Sequence, residues 1–461
     1  MDSDLLIVGG GPAGLATAFW KQRQSPELRI RVLEASDHPG GWLRSEHRQG
    51  YLCEHGPQAI RPTEGFHQLV AALGIEDQVV GASASASTRW LGRGGQLLPV
   101  PSSPLGLLKS QLLTWRGKWR LSRETGISRN PVKEPSESMA AFCTRRFGPE
   151  SVPLVQAMVG GIFAGDAERL EVLSAFPTLA QLELESGSVF RGLRHRRKQL
   201  KLTQRGSGQP KSVSPPPAMV TFRDGIQGFF AGLANAVGDS LECGVSVAAL
   251  QFADGVWTVT MSDGRVHRAA ELVLACPANV SGPLLAPVAP ELASELAEIP
   301  FVSLASVYLG VPMPLPPKKM TGFGCLLTYE PNQPVLGAIY ASQVFPDHAP
   351  AGHQLVRVMI GGALHADVTQ MLDQELIDMS VAMLRKHVVP SIAPTFTHVV
   401  RCRSAIPQYE LGHRQRLERI SKLLSGFPGL SLRGNSYRGV AVTAQLGADV
   451  GLAGDTFDGS K

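Results

Sequence analysis

The chain has 461 residues, with 44 Lys and Arg against 39 Asp and Glu, so its formal net charge is +5. A hydrophobic fraction of 43% beside 18% charged residues excludes a disordered chain, and the length suits two or three domains around a large core. No apolar run reaches the roughly 18 residues that a transmembrane helix needs, and the net charge is too small to indicate nucleic-acid binding.

The start of the chain and its cysteines favour an intracellular protein. Residues 1–4 are acidic and run directly into an apolar stretch, unlike a signal peptide or an Arg-rich transit peptide. Six cysteines are scattered without a Cys-x-x-Cys pair. This spacing predicts reduced thiols, and it indicates neither a disulfide framework nor a metal site.

The first 34 residues predict a strand, a glycine-rich turn, a helix and a second strand. Leu5–Val8 is an apolar run of strand length, Gly9–Gly14 interrupts it, and Leu15–Trp20 is apolar enough for a buried helix. The strand pattern resumes at Ile30–Glu34. A parallel pair of strands with a right-handed crossover is the natural interpretation.

Gly9, Gly11 and Gly14 fit the pattern Gly-x-Gly-x-x-Gly between the strand and the helix. Glycines there let the backbone approach a pyrophosphate, whose charge meets free N–H groups and the positive end of the helix. Glu34 follows Gly14 by twenty positions and would accept hydrogen bonds from a ribose. The motif predicts dinucleotide binding rather than a simple tight turn.

Gly40 and Gly41 follow Glu34 closely, and Arg44 comes three residues later. A glycine doublet here permits a second close backbone approach, which favours a long cofactor, FAD, over NAD. Arg44 is either a phosphate or flavin contact or a solvated surface arginine.

From about Arg89 to Arg205 the sequence lacks strand alternation and predicts helices. Thr203–Ala218 is rich in Gly, Ser and Pro and predicts a mobile loop. The basic residues of the middle segment form two clusters: Arg116, Lys118, Arg120 and Arg123, and then Arg191, Arg194, Arg196, Arg197, Lys198, Lys201 and Arg205.

Strand patterns return after residue 218. The predicted elements are a hairpin of Glu242–Phe252 with Gly255–Met261, a buried strand at Glu271–Ala275, an antiparallel sheet of Val302–Val311, Gly337–Ser342 and Gln354–Ile360, a helix at Asp367–His387, and a strand and glycine-rich turn at Gly429–Val442.

Several motifs together resemble the oxygen-dependent protoporphyrinogen oxidase family of the amine-oxidase-like flavoproteins, over nearly the whole chain to about residue 443. The motifs are Gly40–Ser45, Glu54–Pro57, Ile60–Pro62, Glu134–Ser138, Gly161–Gly165, Gly322–Gly324, Ile406–His413 and Gly434–Ala441. The stretches Pro-Gln-Tyr-x-Leu-Gly-His and Asn-x-Tyr-x-Gly-Val are specific for this family.

The resemblance implies a mixed α/β (α+β) fold. It would combine a Rossmann-type FAD-binding domain of the p-hydroxybenzoate hydroxylase kind, an antiparallel-sheet substrate domain and a helical membrane-binding domain. The implied segments are 1–86 and 219–290 for the FAD-binding domain, 87–218 for the helical membrane-binding domain with a mobile loop at 203–218, 291–405 for the substrate domain, and 406–461 for the closing segment of the FAD-binding domain with a divergent tail.

The resemblance also implies the reaction. Such enzymes bind FAD noncovalently and remove six electrons from protoporphyrinogen IX, while three O₂ become three H₂O₂. The first hydride would leave a meso bridge for the flavin N5, so no side chain is assigned as catalytic. A noncovalent flavin fits this chain, since no cysteine follows Cys402 to form a C-terminal thioether.

The resemblance assigns two sets of binding residues. The expected cofactor contacts are Gly9, Gly10, Gly11, Pro12, Ala13, Gly14, Glu34, Ala35, Gly41, Trp42, Arg44, Gly56, Pro57, Gln58, Ala59, Val247, Val440, Ala441 and Val442. The expected substrate contacts are Arg89, Phe323, Gly324, Leu326 and Met359. Arg89 would pair a propionate, and the apolar residues would line a slot for a flat macrocycle. His413 is expected to pack or to donate a hydrogen bond rather than to catalyse.

The family also implies partners and a location. The basic, apolar middle segment would dock on a membrane surface, which is the mitochondrial inner membrane in a eukaryote, or the cytoplasm and cell membrane in a bacterium. A homodimer and transfer of the porphyrin to ferrochelatase are further expectations.

The C-terminus departs from the family. Relatives continue with Asn-Asp-Cys and a helix that faces the flavin, whereas this chain has Thr443–Asp449 and a Gly/Asp-rich tail. Gly447, Gly451 and Gly454 each weaken a helix by roughly 1 kcal/mol. A helix N-terminus near the flavin would stabilise its reduced form, so its loss predicts looser FAD and slower reduction.

Three alternatives stay open. A coproporphyrinogen III oxidase would have the same fold and a substrate with four propionates. A polyamine oxidase would need an aromatic cage, which 6% aromatic residues do not indicate. A flavin- or porphyrin-binding protein that lost catalysis through the altered C-terminus is the third.

Overall fold

The structure is a computed structural model and describes residues 1–101, 103–129, 137–206, 217–314, 316–447 and 452–453. The strands within these residues are β1 (Ser3–Val8), β2 (Ile30–Glu34), β3 (Ser45–Arg48), β4 (Tyr51–Glu54), β5 (Val79–Gly81), β6 (Arg89–Arg93), β7 (Gln96–Pro99), β8 (Val220–Phe222), β9 (Leu241–Cys243), β10 (Val247–Ala253), β11 (Val256–Met261), β12 (Val266–Leu274), β13 (Phe301–Pro312), β14 (Gly324–Leu327), β15 (Val335–Ile339), β16 (His353–Gly361), β17 (Phe396–Pro407), β18 (Leu430–Leu432) and β19 (Leu452–Ala453).

The α-helices in the same part of the chain are α1 (Pro12–Gln24), α2 (Glu64–Leu73), α3 (Pro104–Lys109), α4 (Trp115–Ser122), α5 (Met139–Phe147), α6 (Val152–Phe163), α7 (Val172–Ala175), α8 (Pro177–Ser186), α9 (Val189–Gly206), α10 (Ile226–Val237), α11 (Ala278–Leu285), α12 (Pro290–Ala297), α13 (Ala341–Val344), α14 (Asp373–His387) and α15 (His413–Leu424). The fold is mixed α/β, as the sequence predicted.

The first sheet has the strand order β10-β11-β12-β1-β2-β9, and β18 and β19 extend it beside β12. β1 runs parallel to β12 and β2, which confirms the predicted crossover. Alternate residues of β1 point to opposite faces. Leu5 and Ile7 pack with α1, α2 and α10, and Leu6 and Val8 pack with α11, α12 and α15. Helices therefore cover both faces, and ligand access is left to the carboxyl edge of the sheet, where the glycine turn lies.

The second sheet has the order β17-β13-β16-β15-β14-β6-β7. Its neighbours are antiparallel except for β14 and β6, which run parallel. One face carries alternate residues such as Val356, Val358 and Ile360, which pack against α14. The opposite face carries Leu355, Arg357 and Met359 of the same strand. The predicted antiparallel sheet and the predicted helix at 367–387 are confirmed, although the strand predicted at 337–342 ends at Ile339, with α13 following from Ala341, and the helix itself begins at Asp373.

The expectation that residues 89–205 contain no strands is wrong at its start. Residues 89–99 form the β6–β7 hairpin, which joins the second sheet by pairing Arg89 with Gly324. Gly94 and Gly95 both have positive φ, 55° and 77°, as a two-residue hairpin turn with the twist of the strands requires. The strands are short, and their pairing partner lies more than 200 residues away, so periodicity alone missed them.

The rest of this middle segment contributes α3 to α9. Arg146 of α5 and Glu124 are both fully buried, with 2.7 Å between Nη2 and Oε1. Glu124 also accepts a hydrogen bond from the amide of Val189. The pair joins α5 to the start of α9 inside the helical segment. A buried pair of this kind is destabilising mainly when one partner is lost.

Three expectations fall partly outside the described residues: the mobile loop at 203–218, the motif at 134–138 and the divergent tail. Of the tail, Val442–Gln445 forms a 3₁₀ turn and β19 pairs antiparallel with β18. Among the described residues, no helix combines the length and hydrophobicity required to cross a bilayer.

Candidate active site

The glycine turn after β1 is closely packed on its inner side. A Cβ at Gly14 would lie 1.9 Å from the Gly9 carbonyl oxygen, and one at Gly9 would lie 2.9 Å from the Ala275 oxygen. By contrast, a Cβ at Gly11 would meet nothing within 4 Å. The turn is therefore glycine-dependent where it packs on β12, and it has open space in front of Gly11 at the start of α1.

The loop with the glycine doublet faces this turn. The Gly40 amide donates to the Gly10 carbonyl over 2.8 Å, and a Cβ at Gly41 would lie 3.8 Å from the Gly11 Cα. Gly41, Trp42 and Arg44 are exposed, and Trp42 keeps 42% of its surface. The two glycine loops thus lie side by side, and we call the open space in front of Gly11 the cleft.

Glu34 lies at the end of β2 beside the glycine turn. Its Oε2 accepts from the Gly10 amide over 2.7 Å, and its Oε1 accepts from the Ser36 amide over 2.9 Å. The Val245 amide donates to the Glu34 carbonyl, which places Val247, the first residue of β10, near the same end of the cleft. Ala35 is exposed there, whereas Pro12 and Ala13 begin α1.

Residues 440–442 connect two cores. Val440 packs with α5, α6 and Tyr409, and Val442 packs with the core that contains α1; Ala441 is exposed. The following 3₁₀ turn is tied down by Trp20, whose Nε1 donates to the Leu446 carbonyl over 2.9 Å. The described part of the altered C-terminus is therefore anchored to α1.

The segment Glu54–Ala59 leaves the β3–β4 hairpin and lies against the second sheet. Three consecutive backbone carbonyls, at Glu54, His55 and Gly56, accept hydrogen bonds from side chains of that sheet. The donors are Tyr308 Oη to Glu54 at 2.5 Å, Cys402 Sγ to His55 at 3.5 Å and Arg357 Nη1 to Gly56 at 2.6 Å.

The same segment makes further contacts beyond Gly56. Gln58 is buried, with Nε2 at 3.0 Å from His348 Nδ1, and Pro57 is exposed. Ala59 packs in one apolar cluster with Phe323. The predicted cofactor segment and a predicted substrate residue therefore border the same apolar cluster of Ala86, Val344 and Phe345.

The register of the second sheet brings the predicted substrate residues to one face. Arg89 pairs with Gly324 across β6 and β14, while Leu326 pairs with Gly337 and Gly337 pairs with Met359 across β14, β15 and β16. Directly paired residues share a face, as do residues two apart on a strand. Arg89, Gly324, Leu326 and Met359 accordingly lie on the face opposite α14.

Arg89 lies over an aromatic ring at this face. Its guanidinium is 5.2 Å from the centre of the Phe323 ring. Desolvation, and then the charge of Arg61, lower the pKa of Arg89. A cation next to another cation and an aromatic ring is suited to an anionic ligand.

Helix α6 packs over Leu326 on the same face. A Cβ at Gly161 would lie 2.5 Å from Leu326 Cδ2, so glycine is what permits the contact. At the end of α6, Gln408 Nε2 donates to the Phe163 carbonyl over 2.9 Å. This contact joins two of the motifs that carried the resemblance, and the Tyr409 hydroxyl joins a third by donating to the Asn435 carbonyl.

His413 is buried at the start of α15, where its ring stacks on Tyr409 at 4.3 Å between centres. Burial lowers its pKa to about 3. The packing role that the sequence predicted is confirmed.

Arg357 was missed by the sequence analysis. It is 4% exposed, donates to Gly56 and to Ser306 Oγ, and lies two residues before Met359 on the same face. The available signal was one arginine within the otherwise apolar strand 355–360. Buried charges are rare without a specific partner, so such an arginine indicates a tertiary contact.

Residues 12–444 match the family described as flavin-containing amine oxidoreductases. The chain belongs to the flavin-containing amine oxidoreductase family. It is 32% identical to the protoporphyrinogen oxidase of Macaca fascicularis, with 96% of each chain covered.

The chain is also similar to a bacterial enzyme and to a solved structure. The chain is 26% identical to the coproporphyrinogen III oxidase of Bacillus subtilis, over 95% of this chain and 94% of that protein. A crystal structure of an Exiguobacterium protein superposes with a TM-score of 0.79 at 22% identity and covers 97% of this chain and 96% of the other. The last similarity shows a shared fold.

The protein is an oxidoreductase, and FAD is its cofactor. The residues present fit this group. Gly11, the facing Gly41 and the start of α1 form a cradle in which two residues lack a Cβ and the positive end of the helix favours a phosphate. The segment Glu54–Ala59 meets the second sheet through Arg357, which lies on the same face as Met359.

Gly11→Ala and Gly14→Ala test the cradle. Gly11 has φ −76° and ψ −174°, which alanine adopts without strain, so the apoprotein should melt as the parent does while FAD binds about tenfold or more weakly. Gly14→Ala should lower both the melting temperature and FAD content, because its Cβ meets the Gly9 backbone. Flavin absorbance per protein and thermal melting of apoprotein measure the two effects.

Gly65→Ala is the matched control, since a Cβ there also meets nothing within 4 Å. It should leave FAD content unchanged and, because alanine favours a helix more than glycine does, should raise the melting temperature slightly. Undiminished FAD binding by Gly11→Ala would show that the pyrophosphate lies elsewhere.

Glu54→Gln tests a buried carboxyl at the end of β4. Glu54 is fully buried, and burial raises its pKa from 4.5 to about 7, despite hydrogen bonds from Ser45 Oγ and the Ile226 amide. The free energy that protonated Glu54 contributes to folding is fully present below about pH 4.5 and is lost as the pH rises through 7. The Gln variant stays neutral, so its stability relative to the parent should rise between pH 5 and pH 8 by up to about 3 kcal/mol.

Urea unfolding at several pH values measures this difference. Glu76→Gln, at an exposed position, should follow the parent at every pH. A difference between Glu54→Gln and the parent that does not vary with pH would contradict the assignment.

Proposed function

We propose that this chain oxidises protoporphyrinogen IX to protoporphyrin IX with noncovalent FAD and O₂. One observation carries the proposal: the sheet register gathers a cation and apolar residues on one face, next to the segment Glu54–Ala59. The similarity to protoporphyrinogen oxidases over 96% of both chains supports the same conclusion.

The cofactor would be held by the two glycine loops, Glu34, Gly56–Ala59, Val247 and Val440–Val442. Bound there, FAD would supply the two-electron acceptor for each oxidation. The protein residues then have to hold an apolar disc in a fixed orientation. Leu326 and Met359 would form its apolar wall, and Arg89 would pair a propionate. Over the whole reaction, six hydrogens leave the substrate and three O₂ become three H₂O₂.

Mixing FAD-loaded protein with each porphyrinogen under anaerobic conditions tests the function. We expect protoporphyrinogen to bleach the flavin band, and air to restore it with three H₂O₂ per porphyrin formed. Faster bleaching by coproporphyrinogen III would favour that alternative. A protein that retains porphyrin without flavin reduction would be the inactive binding protein.

Arg89→Met should weaken substrate binding. A charge-assisted contact is worth about 1.5 to 3 kcal/mol, so KM for protoporphyrinogen should rise roughly 10- to 100-fold while kcat changes much less. Arg89→Lys keeps the charge and should recover part of the affinity. Steady-state kinetics measure both, and a loss confined to kcat would show that Arg89 does not bind the propionate.

We also propose that α3 and α4 dock on an anionic membrane surface. Trp115 and Trp119 lie four residues apart on α4 and are 73% and 58% exposed, and Leu105 of α3 is 63% exposed. Arg116 and Arg123 lie over the two tryptophan rings at 5.4 and 4.6 Å. Exposed aromatic residues with adjacent cations are typical of interfacial helices.

The double variant Trp115→Ser/Trp119→Ser should bind anionic vesicles roughly tenfold or more weakly than the parent, because most of the inserted apolar area is removed. Co-sedimentation with vesicles of mixed phosphatidylcholine and phosphatidylserine measures the effect. Val266→Ser changes an apolar residue that is 52% exposed on β12 and should bind as the parent does. Equal binding by all three proteins would exclude this surface.

The remaining expectations stay proposals. They are the five-segment domain division, the effect of the altered C-terminus on FAD, the homodimer, transfer of porphyrin to ferrochelatase, and the mitochondrial or bacterial membrane location.

A further inference from the structure

Three potential metal ligands meet where the β3–β4 hairpin touches the second sheet. Glu46 lies on β3, His55 directly follows β4, and His398 lies on β17. The Nε2 atoms of the two histidines point to the same carboxylate oxygen, Glu46 Oε2, at 3.2 and 3.1 Å. All three ligand atoms lie within 4.8 Å of one another.

These distances suit a tetrahedral metal ion. Zn²⁺ binds imidazole nitrogen and carboxylate oxygen at about 2.0 to 2.2 Å, so two ligand atoms of one tetrahedral site are separated by about 3.3 Å. Both histidine–carboxylate distances match this value to within a few tenths of an ångström. An ion shared by Glu46 Oε2 and either imidazole would therefore change the separation of those two ligand atoms by only a few tenths of an ångström.

The backbone around the three residues is held in place. Glu46 pairs with Cys53 in the hairpin, and the His55 amide donates to the Arg44 carbonyl over 2.8 Å. His398 pairs with Tyr308 in the sheet, and its ring stacks on the Tyr308 ring. A site on paired strands keeps its geometry without a bound ion, which lowers the cost of binding.

The burial of the three residues and the charges around them set the expected affinity for a metal ion. The side chains of Glu46, His55 and His398 are 21%, 19% and 14% exposed, so an ion can enter and water can fill a fourth position. Arg48 Nε lies 2.6 Å from the other carboxylate oxygen, Glu46 Oε1. Arg48 leaves Oε2 available, but its positive charge repels a metal ion. Metal binding should therefore be weaker than in a closed structural site.

We propose that Glu46, His55 and His398 bind a divalent transition-metal ion of the Zn²⁺ type. Two imidazoles and one carboxylate favour such an ion over Mg²⁺ or Ca²⁺, which prefer oxygen ligands only. The ion would join the hairpin that leads into Glu54–Ala59 to the sheet that carries the substrate face. The site is independent of the proposed reaction.

Zn²⁺ titration of the full-length, FAD-loaded protein tests this proposal after treatment with EDTA. Isothermal titration calorimetry should show one saturable site, and Zn²⁺ should raise the melting temperature. Glu46→Gln and His398→Gln should each weaken binding at least tenfold. His67→Gln, an exposed histidine on α2, should bind as the parent does.

Arg48→Gln keeps all three ligands and removes the opposing cation, so it should bind Zn²⁺ more tightly. FAD content and circular dichroism report whether loss of a ligand disturbs folding. If it does, Arg48→Gln still tests the site, because all three ligands are present in this variant. Absence of a saturable site in both the parent and Arg48→Gln, or equal affinity in Glu46→Gln and the parent, would overturn the proposal. The three residues would then form only a hydrogen-bonded cluster.

Discussion

The segment Glu54–Gly56 continues from the hairpin beside the glycine cleft, yet its three carbonyl oxygens accept hydrogen bonds from side chains of the second sheet. Tyr308, Cys402 and Arg357 come from strands that are distant in sequence and adjacent in space. A buried carbonyl without a donor costs about 1 to 3 kcal/mol. The two halves of the molecule are therefore held in one relative position where cofactor and substrate would meet.

Arg357 donates three hydrogen bonds at this junction. Its guanidinium is nearly fully buried, and it joins Gly56 to Ser306 by hydrogen bonds while lying over the Tyr308 ring. Because its fork geometry supplies several donors at once, one side chain connects the cofactor segment, β13 and β16. Met359 lies two residues away on the same face. The position of the proposed substrate wall thus depends on the same contacts that hold the proposed cofactor segment.

The helical part of the chain completes the site from the other side. Gly161 allows α6 to approach Leu326, and Gln408 holds the end of that helix. The exposed tryptophans of α4 lie within the same helical segment. The proposed slot is therefore built from a glycine-rich cofactor side, a sheet face and a helix. Each has a different physical requirement: close backbone approach, an in-register face, and small residues at a contact.

The sequence by itself determined the local features: the glycine turn after an apolar strand, the acidic residue after the next strand, and the motifs that carry the family resemblance. These features depend on residues that are close in the chain. The conformational freedom of glycine and the spacing of apolar side chains are therefore enough to predict them. Only the tertiary structure decided that β6 and β7 join the second sheet, that Arg89, Leu326 and Met359 share one face, and that Arg357 holds Gly56. Those facts depend on register between strands far apart in sequence, and a pattern of single residues carries no information on which distant strand will pair.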